Sequence, residues 1–443
     1  MINSTEHVSI YRAAFDASAS RDIDPSWLRE ARGRAMGAFE RLGFPTTRDE
    51  DWRFTNVQPI ADAKFRTNGS SQQSRPGQAD AFLVPNLAGT VLVFLDGRLS
   101  PPLSRLEAAP PGFFAGDLAS ALARNPGRIE RHLAAHAAFD QRAFTSLNTA
   151  LFSDAAVVDV PDGAIVSGPI QLVFLSSADA PRATHPRALI LAGENSQVTV
   201  VESYGTLGSA QSFTNAVTEI VAAPSAVVDH YRLQRESDQA YHIGLTQFRV
   251  DRAASVSSHS VTFGGLISRH DAVAVLAGEG ADCTLNGVYL ADGRRLVDNH
   301  TEIDHAMPHG TSHEVYKGIL DGRARAVFNG RIRVRPDAQK TDAKQTNKTL
   351  LLSDEAQINT KPQLEIFAND VKCTHGATVG QLSQEALFYL RARGIGAEDA
   401  RAMLVKAFAS DVVSRMKLEP VRHLLDALLN ARLPGAAARK AAA

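Results

Sequence analysis

The feature of this chain that most constrains its fold is a short phrase that recurs through its middle. A turn of small or acidic residues is followed by a small residue, and then apolar residues alternate with others. The phrase reads GENSQVTV over residues 193–200, APSAVV over 223–228 and DRAASV over 251–256. It returns as GEGADCTL over 278–285, DGRARAV over 321–327 and SDEAQI over 353–358. Neighbouring copies mostly lie about 25 to 32 residues apart, the spacing of coils in a solenoid. The interval that spans His300 to His313 is longer and reads as carrying an insertion. Two or three short strands cannot bury their inner face alone, but stacked coils make a continuous core. The expected fold is a β-helix or similar β-solenoid over residues 151–382, with a two-sheet β-sandwich as the alternative. A sandwich calls for regular two-residue hairpin turns. Asn286-Gly287 and Asn329-Gly330 fit that rule, and most turns do not.

The flanks have a different texture. Residues 1–150 read as mostly helical. A helix from Trp27 to Leu42 has Asp24 as its expected cap, Pro25 at its first position and Gly43 as its stop. Trp52 and Phe54 are expected to pack against that helix. Residues 67–78 (TNGSSQQSRPGQ) have little to bury and read as a linker. The run Val91 to Leu95, closed by Asp96-Gly97, reads as a strand and tight turn. Helices then run from Asp117 to Ala150, with Pro126 opening a second one. Residues 383–443 read as three helices and a frayed tail, 436–443. Ala400, Met403, Leu404, Ala407, Phe408 and Val412 form one apolar stripe, and Val421, Leu424, Leu425, Leu428 and Leu429 form another. Periodicity alone favours these helices capping the last coil, and docking a partner is the other use of such stripes.

Bulk charge excludes some functions. Lys and Arg number 47 against 48 Asp and Glu in 443 residues, for a net charge of -1. That balance gives no electrostatic case for nucleic acid or an anionic membrane. No apolar run reaches the roughly 20 residues of a membrane helix. Residues 1–7 lack the basic and apolar parts of a signal peptide. Cys283 and Cys373 give no disulfide framework, so a reducing, cytoplasmic setting is expected.

Chemistry-bearing motifs are sparse. No phosphate-binding loop, no Gly-x-Ser-x-Gly and no dinucleotide fingerprint is present, so no self-sufficient catalytic apparatus is expected. Cys373 and His375 are two apart on an expected strand, so they share a face. A thiolate beside an imidazole can hold a soft or borderline metal, but a closed site takes about four ligands. The pair therefore needs ligands from elsewhere, or else it packs in the last coils. His300, His305, His309 and His313 are dense enough to suggest a metal-dependent enzyme. Pro308 and Gly310 interrupt any helix that would align them, so loop and surface roles are expected. Cys283, alternating with Leu285, is expected to be a buried small hydrophobe.

Longer strings carry a resemblance. KQTNKTLLLS (344–353), KPQLEI (361–366), VKCTHGATVG (371–380) and ALFYLRARGI (386–395) together resemble the SufB/SufD family of iron–sulfur cluster scaffold proteins. YKGI (316–319), FNGR (328–331), FPTTR (44–48) and DWRFT (51–55) agree. The CTHGATVG string and the two-cysteine count resemble the SufD side of that family. The resemblance implies a right-handed parallel β-helix between helical ends, in a cytosolic complex with SufB and SufC. It implies that SufC, an ABC-type ATPase, docks on the C-terminal helices. Met403, Leu404, Phe408, Leu424, Leu425 and Leu428 are the candidate contacts. It implies pairing with SufB through the β-helices, and a transient iron or iron–sulfur cluster at that interface with Cys373 and His375 as candidate ligands. The chain itself is then a non-catalytic scaffold, with no cofactor stably bound in isolation and a capacity to form homodimers when alone. A purely structural subunit with no ligand of its own is the remaining alternative.

Overall fold

From Ile267 to Gln381 every strand is ten residues long and is followed by a short turn. Successive strands fall alternately into two ten-stranded sheets. The structure, a computed structural model, describes residues 4–18, 24–67 and 75–432. One sheet, here the front sheet, runs through Gln197–Thr206, Val227–Gln234, Ser255–Thr262, Asp282–Ala291, Thr311–Leu320, Asp342–Leu351 and Lys372–Gln381. The back sheet runs through Ser212–Ala222, Ala240–Val250, Ile267–Leu276, Leu296–His305, Arg325–Val334 and Gln357–Ile366. All of these neighbours pair in parallel. The result is a β-solenoid flanked by helices, as the repeat predicts, and not a sandwich.

The expected insertion between His300 and His313 does not exist. The first four copies of the phrase open front-sheet strands, and the last two open back-sheet strands. Between them lie two regular strands, Leu296–His305 and Thr311–Leu320. Both corners of a coil use the same chemistry, which is why the phrase jumped sides. At the front corner Asn195, Ser225, Ala253, Gly280, His309 and Lys340 all have positive φ. At the back corner Gly293 and Gly322 do so. His309 and Lys340 disguise two further copies of the phrase.

The N-terminal region covers the outer face of the back sheet. Ala35, Met36, Phe39, Phe144 and Leu147 pack with Phe213, Tyr241 and Ile243 of the solenoid. The strand Val91–Leu95 joins the front sheet by pairing with Ile170–Ser176. Asp96 and Gly97 turn it as expected, both with positive φ. Pro126 opens the helix Pro126–His132. Gly43, at φ 63°, stops the helix Ser26–Leu42. Its expected cap is not made: Asp24 instead pairs with Arg32 Nε at 2.8 Å, and Pro25 occupies the cap position. Trp52 does not rest on the preceding helix alone. It meets Phe144 at 5.3 Å and stacks under the Arg269 guanidinium at 3.8 Å, and Phe54 is exposed. The linker expectation falls largely on residues 68–74, and the tail 436–443 follows Arg432, so both lie outside the described residues.

The helices Gln384–Ala392, Ala397–Val413 and Glu419–Arg432 do not cap the last coil. The latter two lie along the outer face of the front sheet, where Val405, Ala409, Val412, Val421 and Leu425 pack with Tyr231, Leu233, Leu290, Ile319 and Leu350. Lys417 fastens them by pairing with Asp229 at 2.9 Å, and the backbone N–H groups of Lys417 and Leu418 donate to the Tyr231 hydroxyl. The apolar outward residues of that sheet need cover more than the coil's end does. Among the described residues no helix is long and apolar enough to cross a membrane.

Candidate functional site

Cys373 and His375 lie on the last strand of the front sheet, Lys372–Gln381. Register sets Cys373 beside Ala343 and His375 beside Gln345. Ala343 and Gln345 are buried inside the solenoid. The two site residues therefore share a face, as their spacing predicts, and register makes it the inward one, on the final rung of the stack. Every residue of this strand except Cys373 is exposed, and the neighbouring strand Gln357–Ile366 is buried in no residue. The edges of both sheets end here, and such edges readily pair with another chain. Ile366, Phe367 and Val379 add exposed apolar surface at this end.

Cys373 is half-buried against Ile332, Val334, Ala338, Ala343 and Ala368. Burial pushes its thiol up, and a backbone hydrogen bond at Ala343 partly offsets this. Such a sulfur is a poor free nucleophile and needs a cation to become a thiolate. Cys283 is fully buried, and burial raises its thiol strongly, so it packs as a small hydrophobe.

Behind His375 runs an inward file that the sequence pattern did not reveal. Val200, His230, Ser258, Leu285, Glu314, Gln345 and His375 are register partners on successive coils. A second file beside it holds Glu202, Arg232, Ser260, Gly287, Tyr316 and Asn347. Glu202 accepts from Tyr204 at 2.8 Å and Thr218 at 2.9 Å, and His230 Nε2 stands 3.5 Å away. Gln345 Nε2 donates to Glu314 Oε2 at 2.9 Å. Burial pushes the Glu314 carboxyl up to about 7, with the Thr301 and Gln345 side chains opposing the shift. Alternating polar residues such as Glu314, Tyr316 and Lys317 gave no hint of facing until the corners were placed.

The four-histidine group is not a site. His300 and His305 stand on a strand and not in a loop. His305 faces the interior, fully buried, with Nε2 at 2.9 Å from Ser312 Oγ and its imidazole lowered to about 4 by burial. His300 faces outward, 3.1 Å from Asp298. His309 is a corner residue, and His313 lies on the next strand. Among the described residues no group of three or more His, Cys, Asp or Glu could hold a metal ion.

The C-terminal helices present a mixed set. Leu425 is fully buried against the solenoid, whereas Leu404, Phe408, Leu424 and Leu428 are half-buried. Met403 is half exposed, and Phe388 and Tyr389 on the preceding helix are more exposed still. Lys317 of the solenoid donates to the Phe408 carbonyl at 2.8 Å and pairs with Asp411 at 3.0 Å.

Two family models cover most of the chain. One, described as SUF system FeS cluster assembly, SufBD core domain, matches residues 174–408. The other, SufBD protein N-terminal region, matches residues 3–172. An iron–sulfur cluster assembly SufBD family protein of Synechocystis is 33% identical over 411 residues, covering 90% of each chain. The iron–sulfur cluster assembly protein SufD of Escherichia coli is 31% identical over 90% of this chain and 91% of its own. SufD of Bacillus subtilis is 25% identical over 96% and 98%.

Proposed function

Because the chain belongs to the SufB/SufD family of iron–sulfur cluster assembly proteins, we propose that it is the SufD-type scaffold of a cytoplasmic SUF complex, pairing with SufB through the open end of its solenoid. The observation that carries this reading is the last rung, uncovered among the described residues, which presents inward-facing Cys373 and His375 on the edge strand of the front sheet. A homologous solenoid can continue both sheets there and bring its own ligands over the pair. Iron or a nascent cluster is then substrate of the assembly and not a resident cofactor. A half-buried, protonated Cys373 and an exposed His375 form half of a ligand set, and a partner completes it. His375 is the better ligand because it needs no thiol deprotonation. The chain acts as a non-catalytic subunit, and the ATPase work belongs to SufC.

Substituting His375→Ala is expected to leave the complex assembled and to lower cluster yield on reconstitution by about tenfold or more, the scale seen for metal-supporting residues. Iron and sulfide content per purified complex is the readout. An unchanged yield removes His375 from the site and favours a purely structural subunit.

SufC is proposed to dock on the C-terminal helices through the surface that the solenoid leaves free. Met403, Leu404, Phe408, Leu424 and Leu428 keep exposed area, whereas Leu425 is consumed by the chain's own core. The double substitution Leu424→Asp and Leu428→Asp is expected to abolish co-purification of an ABC-type ATPase while the chain remains folded. Retained co-purification would count against this surface.

A further inference from the structure

Interior polar groups at the open end are not satisfied in the way buried polar groups usually are. Glu314, Gln345 and Asn347 are each at most 2% exposed. The Gln345 amide donates to Glu314 Oε2, but Glu314 Oε1, Gln345 Oε1 and Asn347 Oδ1 have no hydrogen-bond partner among the described residues. The Thr301 hydroxyl acts on the Glu314 carboxyl as a donor from the back sheet, but not at the distance and angle of a full hydrogen bond to Oε1. Three orphan oxygens, one of them a carboxylate oxygen, therefore cluster on two adjacent strands. Most buried polar groups have a partner, so such a cluster asks for one. The opposite wall is cut back to admit these side chains: a Cβ on Gly330 would stand 2.2 Å from Gln345 Nε2.

We propose that Glu314 and Gln345, two rungs and one rung behind His375, form a divalent-cation site inside the last coils of the solenoid. Glu314 supplies the negative charge, and the Gln345 side-chain carbonyl supplies a neutral oxygen, with Asn347 two residues along. Hard divalent cations take such oxygen ligands and commonly keep several waters beside only one or two carboxylates. Gln345 is the register partner of Glu314 on one side and of His375 on the other, so a cation held there lies directly behind the edge strand. This deepens the reading of the open end as the place of cluster assembly and rests on it, by adding an internal station for a hard divalent cation.

Mn2+ is the probe, added to the full-length chain at pH 8 and followed by loss of the free-ion paramagnetic signal. Wild-type protein is expected to bind one ion per chain, and Glu314→Gln to bind about tenfold more weakly or worse. Gly330→Ala leaves the carboxylate intact but displaces the Gln345 amide, and it is also expected to weaken binding. His375→Ala is expected to retain the ion. Equal affinity in wild type and Glu314→Gln would mean that the orphan oxygens hold water alone, and would overturn the proposal. Loss in His375→Ala without loss in Glu314→Gln would move the ion to the rim and overturn it equally. Mn2+ binding by the isolated chain does not require a partner, so an unaltered cluster yield in His375→Ala would leave this result standing.

Discussion

Replacing Glu219 by alanine is expected to destabilise the chain by about 3 to 5 kcal/mol, the cost of stranding a buried charge. Glu219 and Arg187 pair with both side chains wholly buried. The carboxylate also accepts from the backbone N–H groups of Ala134, His136 and Ala137 at 2.8, 2.8 and 2.9 Å. Arg187 in turn donates to Asn148 and Thr149, each at 3.1 Å. Asn148 closes the network by donating to the carbonyls of Pro186 and Asn215, each at 2.8 Å. One carboxylate thus joins the back sheet to the loop and helix of the N-terminal region. Burial alone would raise its proton affinity, but Arg187 and the backbone donors outweigh that and hold the carboxyl below its ordinary value. Its contribution is present above the unfolded-state pKa and is lost as pH falls through the folded one. Denaturant unfolding of Glu219→Ala at neutral pH checks the prediction, and a loss under about 1 kcal/mol would contradict it.

That network also marks where sequence reading stopped. Coils were legible because their corners need small or positive-φ residues, and those residues recur. Which corner a copy belonged to was not legible, since Asp321-Gly322 and Glu194-Asn195 serve opposite sides with the same chemistry. Helix periods at the C-terminus were legible, but not their docking. Met403, Leu404 and Phe408 are as apolar as Val405 and Ala409, and only the sheet's outward residues decide which are buried. The Cys373 and His375 pair was legible from a two-residue spacing. Its inward direction and its place on an uncovered rung follow from register, which no local pattern encodes. Pairs such as Arg187 and Glu219, or Glu314 and Gln345, sit about one coil apart and become neighbours only after stacking.

Register likewise sets up the second large effect, a pH dependence centred on Glu314. Its carboxyl is pushed from an ordinary 4.5 up to about 7 by burial between the sheets. The neighbouring Tyr316 hydroxyl and Cys283 thiol are both raised by burial and stay neutral, so they add no further negative charge and supply no positive one. Below pH 4.5 the folded and unfolded chains both carry the proton, and the residue costs nothing. Between 4.5 and about 7 the unfolded chain releases the proton while the folded chain holds it, so stability falls as pH rises. Above 7 the penalty is complete, on the order of 3 kcal/mol for a rise of this size. Glu314→Gln keeps the shape and a hydrogen-bond acceptor but cannot ionise. The variant is expected to match wild type near pH 4 and to exceed it by up to about 3 kcal/mol at pH 8. Denaturant midpoints at those two pH values decide it, and parallel pH profiles for the two proteins would show that the carboxyl is not strained. A gain at pH 8 coupled with loss of Mn2+ binding would show a group held at a cost to the fold, which is the pattern of a ligand and not of a packing residue. Added Mn2+ should then recover stability in the wild type alone, because a cation that binds only the folded chain shifts the equilibrium toward it.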